Sequence, residues 1–364
     1  MASDRREFLR QTAAAAAVLG PRAAAGAAQS RSAAMPTPRA TALMNAFGLK
    51  YPIFSAGMGG TAGPDLAIAV TNAGGFGAMG TGTGTVNADL LRQRVARVRA
   101  EAKGPFAVNY LLAFDPVTLP AALDAGAPAE QFAWGIPAAA AVSAIRQAKA
   151  KMGVQISNVD GARRALDLGA DYLICQGIEA GGHVQALSAL YDTLPAVIAE
   201  ARSVPVLAAG GIADGAHIRR ALVAGSSGVL IGTRFVATKE AMGHDDYKAA
   251  LTRAKGSDTV LTICYQDGWP NAPHRVLRNK TIDMWEAAGC PPPGKRPGEG
   301  DVMTTNAVSG STKLRYRVAS AAADDRGAVT ELPMWCGQGV DAVRDVPSAA
   351  DLVVRLWREC LSAT

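Results

Sequence analysis

Cysteine is scarce in this chain and never closely paired. Its five cysteines (Cys175, Cys264, Cys290, Cys336 and Cys360) form no C-x-x-C motif, which excludes the usual zinc and dithiol arrangements. In an oxidising compartment one pair among the last four could bridge, and Cys175 reads as a buried apolar residue within a strand. Aromatic residues are only 5% of the chain and histidines number four, so a histidine at a strand end stands out as a candidate for chemistry. No stretch reaches the ~18 uninterrupted apolar residues of a membrane-spanning helix. The net charge is +6, a weak bias with no basic stripe interleaved with aromatics, so nothing argues for a nucleic-acid partner. No repeat at solenoid periods is present.

Glycine, by contrast, is plentiful at 39 residues, in a chain that is 49% hydrophobic over 364 residues. One large core with many tight turns fits this composition, and α/β barrels reach this length as a single domain. The first residues stand apart from that core. Arg5-Arg6-Glu7-Phe8-Leu9 precedes a mildly apolar alanine-rich run and then small residues. Paired arginines before a weak hydrophobic stretch predict a twin-arginine export signal over residues 1–28. The expectation is a precursor handled by the twin-arginine machinery and a mature chain that is periplasmic or otherwise extracytoplasmic.

Beyond residue 50, short apolar runs alternate with amphipathic stretches. The runs fall at 53–55, 76–79, 106–109, 132–134, 154–157, 172–175, 206–209 and 229–231. Runs without alternation imply burial on both faces, as in a parallel sheet covered by helices. The intervening helices are expected at 65–73, 87–100, 137–148, 160–168, 191–201 and 217–224, with Gly169 and Gly225 as helix-ending residues. Eight such units predict an α/β fold of the (β/α)8 (TIM) barrel type over residues 40–238. Residues 239–340 hold a helical stretch at 245–254 and then Gly- and Pro-rich sequence. They are expected to form a loop-rich and helical elaboration over the barrel mouth. Residues 341–364 supply a final helix on the barrel.

Barrels bind ligands where strands end. The first run ends in Ser55-Ala56-Gly57-Met58-Gly59-Gly60, small residues against which a planar ring can lie. The third ends in Asn109, whose amide both donates and accepts. The sixth ends in Gln176-Gly177, followed by Glu179-Ala180-Gly181-Gly182-His183. The seventh ends in Gly210-Gly211, followed by Asp214, which reads as a helix cap. The eighth ends in Ile231-Gly232-Thr233. Glycine turns on two adjacent strands suit a phosphate held by backbone N–H groups, a hydroxyl and a helix N-terminus. His183 is the histidine at a strand end, and a near-neutral pKa suits proton abstraction beside a carbon being oxidised. Glu179 reads as a loop-holding hydrogen-bond acceptor. His217 sits at a helix start, and His244 and His274 read as surface or structural. Trp269 and Trp335 read first as packing under a long loop.

These blocks resemble the nitronate monooxygenase family, formerly grouped as 2-nitropropane dioxygenases. The matching segments are 52–60, 72–77, Asn109, 176–183, 208–216 and 228–235. The resemblance implies non-covalent FMN in a (β/α)8 barrel. It implies contacts from Gly57, Met58, Gly59, Asn109, Gln176, Gly181, Gly210, Gly211, Leu230, Ile231, Gly232 and Thr233, with Gly211, Gly232 and Thr233 at the phosphate. It further implies oxidation of a small-molecule nitronate to a carbonyl compound and nitrite, with His183 as the catalytic residue and O2 or a quinone as electron acceptor. Two positions depart from the family pattern. Leu230 stands where a glutamine is usual, and Val184-Gln185 follows His183 where x-Gly is common. The alternative is an NAD(P)H-dependent flavin reductase acting on quinone or enoyl substrates, which an export signal disfavours because reduced nicotinamide is cytoplasmic. No metal site is expected.

Overall fold

The computed structural model describes residues 35–364 apart from Thr85. The predicted export signal at 1–28 therefore lies outside the described residues.

Eight parallel strands form the barrel. They are β1 (Ile53–Ser55), β2 (Gly77–Gly80), β3 (Phe106–Leu111), β4 (Ala129–Ala133), β5 (Lys151–Ile156), β6 (Tyr172–Gln176), β8 (Val206–Ala209) and β9 (Gly228–Ile231). Their order is β1-β9-β8-β6-β5-β4-β3-β2. A parallel bridge between Phe54 and Phe76 closes the ring, with Phe76 N donating to Ile53 O at 2.9 Å and Ser55 N to Phe76 O at 3.0 Å. The interior is filled by Phe54, Phe76, Tyr172, Ile174 and Leu207 among small alanines. Gly153 makes room for one of these, because a Cβ there would lie 2.2 Å from the Tyr172 ring. Helix α1 (Pro38–Phe47) sends Phe47 against Phe54, Phe76 and Tyr172.

The outer helices are α2 (Pro64–Asn72), α3 (Ala88–Glu101), α4 (Leu119–Asp124), α5 (Ala139–Gln147), α6 (Val159–Asp167), α7 (Leu190–Ala201) and α8 (Gly215–Val223). Alternate strand residues face these helices in the larger core, as Val108, Phe132, Val154, Leu173 and Val229 do. Gly169 (φ 73) and Gly225 (φ 98) take the left-handed conformation just past α6 and α8. The barrel is the architecture that the sequence predicts. Two strands are shifted: β5 begins three residues early, at Lys151, and β4 begins at Ala129 and ends before Trp134. Ala129, Glu130 and Gln131 break the apolar run, yet all three are buried, and Trp134 leaves the strand with φ 62.

The segment after α9 (Thr233–Val236) is more ordered than its composition suggests. Besides α10 (Asp245–Arg253), it contains α11 (Lys280–Ala287) and the strands of two small antiparallel sheets. In one, β10 (Thr259–Thr262) pairs with β11 (His274–Leu277), which pairs in turn with β7 (Gly182–His183) from the barrel loop after β6. The other joins β12 (Val302–Asn306), β13 (Thr312–Leu314) and β14 (Asp325–Gly327). Their strands of two to five residues are too short to show periodicity between Gly and Pro. Helix α12 (Ala349–Ser362) is capped by Ser348 and packs on α8 and α2. No disulfide joins any two of the cysteines, so the bridge expected among the last four is not formed, and Cys175 is buried.

Candidate active site

A cavity of about 470 Å³ opens at the C-terminal ends of the barrel strands. Gly57, Met58, Gly59, Asn109, Gln176, Gly181, Gly210, Gly211, Leu230, Gly232 and Thr233 line it together with His183. Ile231 is the exception. Side chains alternate along a strand, so Leu230 faces the cavity while Ile231 is fully buried in the core toward the helices. Its carbonyl still accepts from Ala56 N at 2.9 Å, which fixes the turn after β1.

At one end of the cavity two glycine turns meet. Gly210 (φ 113) and Gly211 (φ 68) both occupy conformations that disfavour a side chain. Asp214 caps α8 by accepting from His217 N at 2.7 Å. Gly232 and Thr233 open α9 on the neighbouring strand. Thr233 Oγ1 accepts from Gly337 N at 2.9 Å, which leaves its hydroxyl proton to donate to a ligand.

His183 sits in an aromatic enclosure. Trp269 stacks on it at 4.0 Å and 19°, Trp335 lies 5.2 Å away, Trp134 meets it edge-on at 6.1 Å, and His274 lies at 5.3 Å. Burial, and secondarily His274, hold its pKa well below the ordinary 6.5. The expectation of a near-neutral base therefore needs correction. The imidazole is neutral at physiological pH, and its buried Nε2 has no partner among the described residues. Such a group hydrogen-bonds well but removes protons weakly.

The two amides on the cavity wall also bond within the protein. Gln176 spends its side chain on its own loop, donating to His183 O at 3.2 Å and accepting from Gln185 N at 2.8 Å. Asn109 Nδ2 donates to Gly57 O at 3.1 Å. Both shape the pocket wall more than they project from it. Glu179 accepts from Leu190 N with both oxygens, at 3.2 and 3.1 Å, and burial raises its pKa. His274 is fully buried: Nδ1 donates to Ala272 O at 2.9 Å, Nε2 accepts from Tyr265 N at 3.3 Å, and burial pushes the ring down to about 4.

Several wall residues lie far away in sequence. Trp134, Tyr247, Trp269, Lys313, Ser320, Trp335, Gly337 and Gly339 all reach the cavity. Gly337 and Gly339 belong to a close-packed junction: a Cβ at Gly181 would lie 2.4 Å from Gly337 N, and one at Gly339 would lie 2.3 Å from Gly211 O. A Gly-x-Gly pair at 337–339 was the available sequence signal, but nothing local tied it to the barrel. No cluster of metal ligands occurs among the described residues.

The family model described as nitronate monooxygenase matches residues 40–122 and 117–359. The chain belongs to this family. A nitronate monooxygenase from Pseudomonas aeruginosa is 32% identical over 86% of this chain and 97% of its own length. A Mycobacterium tuberculosis (3aS,4S,5R,7aS)-5-hydroxy-7a-methyl-1-oxo-octahydro-1H-indene-4-carboxyl-CoA dehydrogenase is 34% identical over 68% of each chain. Among solved structures, nitroalkane oxidase from Streptomyces ansochromogenes superposes with a TM-score of 0.68 at 26% identity, covering 88% of this chain and 97% of its own. Membership of the nitronate monooxygenase family makes this chain an oxidoreductase.

Proposed function

We propose that the chain is an FMN-dependent enzyme that oxidises a nitronate with O2 to a carbonyl compound and nitrite. The observation that carries this reading is that the glycine turns after β8 and β9 open onto the same cavity as His183. The residues fit a flavin phosphate. A Cβ at Gly232 would make only ordinary contact with Met58 Sδ at 3.6 Å and Ala56 Cβ at 3.8 Å, and Thr233 keeps a proton to donate. The cavity volume is also in the range of small-molecule sites. When bound, FMN accepts the substrate's electrons and passes them on; O2 is the proposed acceptor, with a quinone as the variant to test.

The neutral His183 suits a nitronate. A nitronate is already the deprotonated carbon acid, so no strong base is required, and the imidazole orients the anion through Nε2. Binding an anion beside it raises the pKa of His183, so the site can take up a proton as substrate enters. The test is anaerobic reduction of the purified holoprotein by a nitronate and, separately, by NADH. Reduction by the nitronate is expected; bleaching by NADH alone would favour the reductase reading and overturn this one.

The paired Arg5 and Arg6 support export by the twin-arginine route and an extracytoplasmic mature enzyme. Replacing both by lysine should retain the protein in the cytoplasm on fractionation, and unchanged export would refute the assignment.

A further inference from the structure

Three of the five tryptophans in this aromatic-poor chain, Trp134, Trp269 and Trp335, line the one cavity described above. Trp134 and Trp269 pack at 4.9 Å and 67°, beside the His183–Trp269 stack. Trp134 and Trp335 are half-buried, and both line the cavity.

Trp134 is held there against its backbone preference. Its φ of 62 lies in the left-handed region, rare for a bulky residue and typical of sites where the surroundings enforce a conformation. The enforcing group is Gln185, whose Oε1 accepts from Trp134 N and from Gln155 Nε2, each at 2.9 Å. Gln185 is one of the positions where this chain departs from the family pattern.

The wall also offers donors. Trp134 Nε1 and Ser320 Oγ are buried without a partner among the described residues, and both residues line the cavity. An indole N–H can only donate, so a ligand acceptor atom is what completes it. Lys313, a cation on the same wall, is already paired with Asp325 at 2.5 Å. The wall therefore presents aromatic faces and neutral donors.

We propose that this wall binds a planar aromatic group with a hydrogen-bond-accepting edge, that the substrates are aryl-substituted nitronates in preference to short alkyl ones, and that Trp134 is a specificity-determining residue. The proposal rests on the nitronate reading for its reaction but not for its binding chemistry.

The test uses the purified holoprotein. The nitronates of phenylnitromethane and nitroethane are compared by kcat/KM. Benzoate and propionate are compared as unreactive ligands by tryptophan fluorescence quenching. Aryl preference of at least about tenfold is expected in both, given the strength of stacking on aromatic side chains. Trp134→Gly removes the ring while relieving the left-handed backbone, and should lower the aryl-to-alkyl ratio about tenfold. Trp134→Phe keeps a ring and should hold the ratio within about threefold. An unchanged ratio in Trp134→Gly overturns the role of Trp134. Equal affinity of the wild type for benzoate and propionate overturns the aromatic site whether or not any nitronate is oxidised. Aryl-selective binding without oxidation of either nitronate would support the site and refute the proposed reaction.

Discussion

Gly181→Ala should pry the elaboration away from the barrel loop that carries His183. The added Cβ would stand 2.4 Å from Gly337 N and 2.5 Å from Cys336 C. Both are backbone atoms, so no rotamer change relieves the clash. The opposing segment is itself fixed, with Gln338 N donating to Glu179 O at 3.0 Å and Gly337 N to Thr233 Oγ1 at 2.9 Å. Overpacking of this kind costs ~1–3 kcal/mol, and the rigidity on both sides puts this case near the upper end. Gly182→Ala is the natural control. A Cβ there meets nothing within 4 Å, and only the left-handed φ of 73 opposes it, a cost of about 1 kcal/mol. At ~2.1 cal/mol/K per residue, one kcal/mol moves Tm by only ~1.5 °C in a chain of this size. Gly181→Ala should therefore melt roughly 4 °C below wild type and lose bound flavin, while Gly182→Ala melts only ~1–2 °C lower. The assays are scanning fluorimetry and flavin absorbance after gel filtration. If Gly181→Ala melts with Gly182→Ala and keeps its flavin, the junction does not have the rigidity argued for it.

Other substitutions probe separate links. His183→Ala should retain flavin yet lose nitronate oxidation by about tenfold to a hundredfold, the scale of a lost hydrogen bond to a charged ligand; near-normal turnover would remove it from the chemistry. His183 and His274 both have depressed pKa values, so the stability they contribute is present above 6.5 and lost as pH falls toward their folded values, about 4 for His274. Tm measured from neutral to acid pH should fall over that window, and less steeply in His183→Gln; identical slopes would contradict the assignment. Glu130 behaves in the opposite sense. Both carboxyl oxygens are buried without partners among the described residues, and burial holds the pKa well above 4.5. The unfolded chain releases that proton first, so stability falls as pH rises above 4.5. Glu130→Gln should raise Tm at alkaline pH and flatten its pH dependence; a lower Tm there would show that the carboxylate is stabilising. Asp214→Ala removes the cap on α8, donated by His217 N at 2.7 Å, and should cost about 1 kcal/mol in denaturant unfolding; an unchanged midpoint would rule out that contribution.

The barrel was legible because each strand is buried on both faces and each βα turn needs glycine or a small polar residue. Those are local demands that leave local marks, as Gly210-Gly211 and Gly232-Thr233 do. The same reasoning located the cavity residues, since strand ends share one rim whatever the details of packing. It misjudged Ile231, whose side chain follows strand alternation away from the rim. It also started β4 and β5 three residues too late, in β4 because Glu130 and Gln131 are polar in composition and buried in place.

The amino-acid sequence alone determined the α/β class, the eight-unit barrel, the strand-end glycines and the position of His183, because each follows from periodicity or from a conformation few residues tolerate. Tertiary structure decided the character of that histidine. Pairing of His183 with His274 across β7 and β11, and the convergence of Trp134, Trp269 and Trp335 on one ring, depend on contacts across ~50 to ~150 residues of chain, which no local pattern encodes. Burial by those groups makes it a neutral hydrogen-bonding partner instead of a near-neutral base, because desolvation disfavours the charged imidazolium.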